Sequence, residues 1–308
     1  MDRLLWMTCF ARAVETGSFT AVGRELGIGQ PNVSRHVAAL EDYLGIRLLQ
    51  RSTRRLHLTP EGERYYVEAR RVLDAVSEAE AGLRGHDQPV GLLRVACPTS
   101  LGRAHVLPLV GPLLARFPAL ELDLQIGDQL IDLAAANVDL ALCIGEPRDR
   151  TLRSRRIGSA EYACVATPAC LARDGTPSAP DALIHHACIL DTLQPGFDHW
   201  LFREGEFPVR GRLRVNAPDG VHSAVLEDLG IGYAPLWVFE DDILAGRVRL
   251  LLVDHSPPAV PIHLVHPPHP LLPRRTQVFA DFVAAQFRQI PALNEGGLAR
   301  LASAGFAL

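Results

Sequence analysis

Between Gln30 and Leu44, four apolar residues recur at i, i+4, i+7 and i+11. Val33, Val37, Leu40 and Leu44 therefore make one apolar stripe along a helix. The other face carries Gln30, Asn32, Ser34, Arg35 and His36, the kinds of side chain that read base edges and phosphates. Two shorter helices are expected before it. The first spans residues 3–15, offers Leu4, Leu5, Phe10 and Val14 to a core, and is closed by Gly17. The second begins with Ser18 as N-cap and runs through Leu26. Leu26-Gly27-Ile28-Gly29 is a tight turn, and Pro31 is tolerated in the first turn of the third helix. Two short helices, a glycine turn and a polar-faced third helix describe a helix-turn-helix. A small helical bundle with a solvated face has the same pattern.

The residues that follow favour DNA. Leu44 to Leu49 is a turn into an apolar strand, Arg51-Ser52-Thr53-Arg54-Arg55 is a basic tip, and Leu56-His57-Leu58 alternates like a returning strand. A hairpin with three arginines at its tip is a wing that holds phosphates or enters the minor groove. The charge balance agrees. Residues 1–58 carry eight arginines against five acids, whereas residues 87–308 carry nineteen against twenty-four. A basic head on an acidic body means that only the head is suited to a polyanion. The chain contains no lysine, so every basic contact is a guanidinium, which can grip phosphate or guanine with two hydrogen bonds.

The run SFTAVGRELGIGQPNVSRHVAALEDYLGIRLLQRSTRRLHLTPEG resembles the DNA-binding domain of LysR-type regulators over nearly its whole length. Its core string, Q-P-x-V-S-R-H-V-x-x-L-E-x-x-L-G-x-R-L-L-x-R, is the signature of that family. One departure is Gly29, where serine is usual, so a side-chain cap is lost; glycine costs only a few tenths of a kcal/mol there. The resemblance implies that Gln30, Pro31, Asn32, Ser34 and Arg35 face the major groove and that Arg51, Arg54 and Arg55 serve the wing. It assigns Gln30 a base contact, to adenine, and gives Asn32 a part in site choice.

Thr59-Pro60-Glu61 is a helix-start signature, and the helix is expected to run to about Leu83, with Gly85 able to end it. Tyr65, Ala69, Val72, Val76, Ala79 and Leu83 are spaced 4, 3, 4, 3, 4, a heptad seam. A single amphipathic helix lying on its own domain is the other reading. The resemblance implies the antiparallel dimer helix of LysR-type proteins, and paired half-sites suit a dimer. Residues 84–91 form a hinge.

The body alternates short apolar strands with helices and reads as α/β. Strands are expected at 92–96, 120–126 and 140–144, with helices at 102–116 and 130–136. A second unit starts near Cys164 and includes a strand at 213–216 and a helix at 221–229. Residues 262–266 lead the chain back to a closing helix at 275–289. The segments RVACPTSLGRAHVLPLVGPLLARFP, VDLALCIGEP and LEDLGIGYAPLWVFEDDILAGRV resemble the effector domain of the same family. That resemblance implies two α/β lobes, similar to a type 2 periplasmic binding protein, with a ligand cleft between them. Lobe one is expected at about 91–162 and 267–293 and lobe two at about 163–266, within an effector domain of 88–293. Residues 294–308 fit no family element and are expected to be a loose tail. The cleft is sketched from Pro98, Thr99 and Ser100 at a helix start, which suits an anion or carbonyl. Asp128 and Glu146 follow strands, and Trp200 and Phe202 come from lobe two to stack on a ring. Two carboxylates in one cleft favour a neutral or cationic effector over a carboxylate.

Other signals are weaker. His263, His266 and His269 have H-x-x-H-x-x-H spacing, but prolines at 267, 268 and 270 make this strand and loop, where positions three apart face opposite sides. His185-His186 is expected as a surface pair. Six cysteines form no C-x-x-C pair and read as buried small hydrophobes, with Cys164 and Cys170 the nearest candidates for a redox pair. There is no G-x-S-x-G, P-loop or G-x-G-x-x-G motif. No apolar run approaches the ~20 residues of a membrane helix, and the N-terminus is a poor signal peptide, so a cytoplasmic protein is expected.

The expected fold is thus mixed: an N-terminal α-helical winged helix-turn-helix (1–58), a dimerisation helix and hinge (59–87), and the two-lobed α/β effector domain. The expected function is a DNA-binding transcriptional regulator controlled by a small molecule. Its expected partners are double-stranded promoter DNA, the effector, a second copy in a dimer or tetramer, and RNA polymerase. No cofactor, metal or membrane is called for. A ligand-binding protein or an enzyme using the interlobe cleft is the rival reading, and neither explains the basic head.

Overall fold

Helix α1 (Arg3–Thr16) begins with the Asp2 carboxylate accepting from Leu5 N–H and ends at Gly17. Its Cys9, Phe10 and Ala13 are wholly buried. The Ser18 hydroxyl caps α2 (Phe19–Glu25) as the sequence implies, accepting from Ala21 N–H. Helix α3 (Gln30–Leu44) buries Val33, Val37 and Leu40, the first three residues of the stripe. No side chain caps α3 at Gly29, whose φ of +74° is a conformation that side-chain-bearing residues avoid. The computed structural model describes residues 2–50, 56–83 (side chains only to 77), 88–128, 133, 138–194, 196–268 and 272–307. Arg51, Arg54 and Arg55, the hinge glycine, His269 and the helix expected at 130–136 (apart from Leu133, in a turn) lie outside the described residues.

The wing's base is an antiparallel ladder of β1 (Leu49–Gln50) and β2 (His57–Leu58), pairing Leu49 with Leu58 and Gln50 with His57. Helix α4 (Pro60–Leu83) starts where the Thr59 hydroxyl accepts from Gly62 N–H. The first part of the heptad seam is already used inside the chain. Tyr65 packs on Phe10 at 5.8 Å, and Ala69 is buried. Val72, at 42% exposure, is open. The side chains of Ala79 and Leu83 are outside the described residues.

The chain divides into two compact units, Met1–Val90 with Ile131–Val138 and His269–Gln277, and Gly91–Leu130 with Asp139–Pro268 and Val278–Leu308. The second unit holds two lobes. Lobe one is a five-stranded sheet in the order β4-β3-β5-β14-β6, formed by β3 (Gly91–Cys97), β4 (Leu120–Ile126), β5 (Leu140–Ile144), β6 (Arg153–Ala160) and β14 (Val260–His266). Strand β3 runs parallel to β4 and β5, and β14 antiparallel to β5 and β6. The sheet is covered by α6 (Leu107–Arg116) and α10 (Arg274–Phe287), which contribute Leu113 and Phe279, Val283, Phe287 to one core with Leu93, Val95 and Leu140. Between β3 and α6 the chain forms a short helix, α5 (Thr99–Leu101), and a π-helical turn, Gly102–Val106.

Lobe two is built on β7 (Tyr162–Ala166), flanked antiparallel by β12 (Gly232–Pro235) and β13 (Arg249–Leu251). Helix α7 (Pro168–Asp174) follows β7. Strand β8 (Ile189–Asp191) pairs parallel with β11 (Leu213–Val215), and β9 (His199–Phe202) with β10 (Gly205–Pro208) forms a hairpin. Helices α8 (Pro218–Leu226) and α9 (Glu240–Leu244) complete it.

Two sequence expectations are corrected. Val260–His266 falls within the range assigned to lobe two, yet it is a strand of the lobe-one sheet, because Ile262, Leu264 and Val265 bury their side chains there. Residues 294–307, expected as part of a loose tail, are packed. Helix α11 (Gly297–Leu301) seats Leu298 and Leu301 in the lobe-two core beside Leu236 and Leu250, and the Glu161 carboxylate accepts from Gly296 and Leu298 N–H at 3.1 and 2.9 Å. The apolar spacing of that segment is too short to announce a helix; burial against lobe two supplies the stability. No helix among the described residues is long and apolar enough to cross a membrane.

Candidate DNA-binding face and interlobe cavity

The exposed face of α3 is where the sequence places it. Gln30, Pro31, Asn32, Ser34 and Arg35 are all exposed, while Val33 and Val37 between them are buried. Asn32 is partly committed, its amide donating to Ile28 C=O at 2.7 Å and accepting from Arg35 at 3.3 Å. Gln30 and Ser34 side chains have no partner among the described residues, so their polar groups are free for a ligand. Arg47, Glu41 and the wing are tied together. The Glu41 side chain accepts from Leu48 N–H at 2.7 Å, Leu49 N–H at 3.0 Å and the Arg47 guanidinium at 2.8 Å. Burial alone would raise the Glu41 pKa, but these bonds from Leu49, Arg47 and Leu48 overcome it and hold the carboxyl below its usual value. One buried carboxylate thus fixes the first wing strand against α3, which gives the L-E-x-x-L-G-x-R-L-L spacing a physical reason.

In the second unit, Thr99 and Asp128 meet: Thr99 N–H donates to the Asp128 carboxylate at 2.8 Å. The helix start that suits an anion therefore already holds one, supplied by the chain itself. Pro98 is the N-cap and its carbonyl accepts from Gly102 N–H at 2.8 Å. Glu146 is exposed just after Gly145. Trp200 and Phe202 are corrected. They are 4% and 2% exposed and pack on Tyr233 within lobe two, Trp200 stacked at 5.2 Å, so neither is available to stack on a ligand. Alternation along the β9–β10 hairpin turns both inward.

Sequence reasoning missed a cavity of about 610 Å³ between the lobes. Ser100, Arg103 and Ala104 line it from lobe one; Asp219, His222 and Ser223 line it from α8. Both triplets have i, i+3, i+4 spacing, the only sequence signal that two helical faces look into one space. Trp237, Asp241, Asp242 and Arg247 close it. Arg103 and Asp219 form an ion pair across it. Asp242, buried, is held by His222 Nε2 at 2.6 Å and Arg247 Nε at 2.5 Å. Burial would raise its pKa; the hydrogen bonds from His222 and Arg247 prevail and lower it. Behind the wall, His105 meets Trp237 edge-on at 5.5 Å, and burial pushes its pKa down to about 4, so the ring is neutral.

No group of histidine, cysteine and acidic side chains among the described residues is arranged to hold a metal. His263 is buried, its Nδ1 3.0 Å from Gly145 O. The six cysteines are free thiols, and none is exposed. Burial pushes Cys97 and Cys188 up to about 12 and Cys143 to about 11, and raises Cys164 and Cys170 too. Raised thiols are poor nucleophiles. A thiol-specific disulfide reagent near neutral pH is therefore expected to react slowly with the folded protein and promptly after denaturation; prompt labelling of the native chain would mean that one of these thiols is accessible and activated.

Residues 4–63 match the family described as bacterial regulatory helix-turn-helix protein, lysR family, and residues 86–288 match the LysR substrate binding domain. The chain is 32% identical over 286 residues to an HTH-type transcriptional regulator of Xanthomonas campestris pv. campestris, covering 90% of this chain and 83% of that protein. It is 30% identical over 295 residues to the HTH-type transcriptional activator AaeR of Escherichia coli, covering 94% and 96%. Among solved structures, CrgA, a LysR-type transcriptional regulator from Neisseria meningitidis, aligns with a TM-score of 0.60 at 29% identity, covering 91% of this chain and 97% of that one. A full-length OxyR variant from Pseudomonas aeruginosa shares the fold, with a TM-score of 0.69 at 16% identity, covering 94% of this chain and 96% of that one. The helix-turn-helix head and the effector domain together make this chain a member of the LysR family of DNA-binding transcriptional regulators.

Proposed function

We propose that the chain binds an interrupted inverted repeat upstream of its target genes as a cytoplasmic homodimer or tetramer. The exposed polar face of α3, with its apolar stripe buried beneath, is the observation that carries this reading. Gln30 reads a base edge in the major groove, Asn32 tunes site choice, and Ser34 and Arg35 hold the backbone. Arg51, Arg54 and Arg55 at the wing tip hold phosphates. A small effector between the lobes shifts the arrangement of the paired heads and so the engagement of RNA polymerase. It acts through a difference in affinity for two arrangements. In this reading Ser100 meets the effector in the cavity it lines, whereas Pro98, Thr99, Asp128 and Glu146 are not among the residues lining it.

Fluorescence anisotropy on DNA upstream of the chain's own gene, at about 50 to 200 mM salt, tests it. Gln30→Ala is expected to cost about 1–3 kcal/mol on the specific site and to relax sequence preference. Arg54→Ala is expected to weaken specific and unrelated DNA alike and to lower the salt dependence by about one phosphate contact. Specific binding untouched by either change would overturn the residue assignments. A folded protein that binds no DNA at any salt would overturn the reading itself.

A further inference from the structure

We propose that the interlobe cavity takes a small amine, an ammonium-bearing ligand without a carboxylate of its own. This rests on the effector reading above and names the ligand's class. The cavity, at about 610 Å³, has the size of a small-molecule site. Its charges are not evenly spoken for. Three carboxylates (Asp219, Asp241, Asp242) line it against two guanidinium groups (Arg103, Arg247). Each guanidinium is already held by a carboxylate, Arg103 by Asp219 and Arg247 by Asp242. His222 is likewise bonded to Asp242. A carboxylate ligand would have to share these guanidinium groups with the carboxylates they already hold. The amide N–H at the adjacent helix start, Thr99, is also taken, by Asp128.

An ammonium finds the opposite situation. The Asp241 carboxylate has no hydrogen-bond or ion-pair partner among the described residues. Ser100 points to a ligand independently of the acids. It is only 4% exposed, lines the cavity, and its hydroxyl has no hydrogen-bond partner among the described residues. A hydroxyl oxygen that lines the cavity without a partner can accept from a donor entering it. Ammonium supplies three donors and no acceptor. Asp241, Asp219 and Ser100 therefore offer acceptors from both lobes. Leu226 and Val238 provide an apolar wall for the ligand's carbon skeleton, beside Trp237, whose buried indole N–H has no partner among the described residues.

The test is calorimetric titration of the full-length protein with ethanolamine, 1,4-diaminobutane and benzylamine, against acetate, succinate and benzoate. At least one amine is expected to bind, and no carboxylate. Asp241→Asn is expected to weaken that amine about tenfold or more, since the charge-assisted hydrogen bond is lost. Ser100→Ala is expected to weaken it several-fold, with both variants keeping the wild-type circular dichroism. Binding of carboxylates with the amines silent, no binding by any amine, or amine binding indifferent to both substitutions would each overturn the proposal. The DNA footprint separates this from the effector reading. An amine that binds as expected but leaves the footprint unmoved supports the ligand class and sinks its role as effector. A carboxylate that binds and moves the footprint does the reverse.

Discussion

Replacing Glu41 with alanine is expected to destabilise the DNA-binding head by about 3–5 kcal/mol, a large fraction of the stability of a small domain. The side chain satisfies two buried backbone donors, Leu48 and Leu49 N–H, besides Arg47. Alanine leaves both amides without a partner where water cannot reach them, and each such loss costs about 1–3 kcal/mol. Glu41→Gln retains an acceptor and its length, so it is expected to cost less, mostly through the Arg47 pair. The pH dependence has a definite sign. The folded pKa lies below the usual glutamate value of 4.5, so the unfolded chain binds the proton more readily. The contribution is fully present above the unfolded value and is lost as pH falls through the folded one. The stability gap between wild type and Glu41→Gln should therefore be constant near neutral pH and shrink under acid below about pH 4.5. Urea melts of the head followed by circular dichroism would show this; a gap independent of pH would mean that the carboxylate's charge contributes nothing.

Gly62→Ala is expected to be of similar size, at about 3 kcal/mol or more. A Cβ on Gly62 would lie 2.0 Å from Leu48 O and 2.9 Å from Leu48 C. Both are backbone atoms of the segment that carries the wing, so no rotamer change relieves the clash. Either α4 or the wing must move, and Thr59 N–H to Leu48 O, a bond of 3.0 Å, is strained with it. The measurable outcome is a loss of specific DNA binding together with a lowered melting temperature, while the effector unit keeps its own transition. Wild-type melting in Gly62→Ala would show that the α4–wing contact is looser than this geometry.

The two substitutions show what kinds of information the chain carries on its surface as a string. The apolar stripe of α3, the Ser18 cap, the Thr59-Pro60 start and the strands at 120–126 and 140–144 are local. Each depends on periodicity or on a side chain reaching a backbone group a few residues away, so the residues themselves announce them. The polar face of α3 was legible for the same reason, and with it the DNA-binding reading. The role of Glu41 was visible only as a letter in a pattern. Its partners, Leu48 and Leu49, lie beyond a turn, and only the fold shows that their amides point at one carboxylate.

The interlobe cavity was less legible, because it is assembled from segments more than a hundred residues apart. Arg103 and Asp219 meet across the lobes at a sequence separation of 116. Trp200 and Phe202 look like ring-stacking residues in the string, yet hairpin alternation turns them into the lobe-two core. Leu298 and Leu301 sit in a segment too short to declare a helix and become core residues because lobe two offers a surface to bury them. Helices, strands and the reading face of the head follow from the sequence by itself, since short-range geometry decides them. Which side chains share a cavity, which carboxylate is left without a partner and which end of the chain is packed were decided by tertiary structure, because burial depends on neighbours that no local pattern contains.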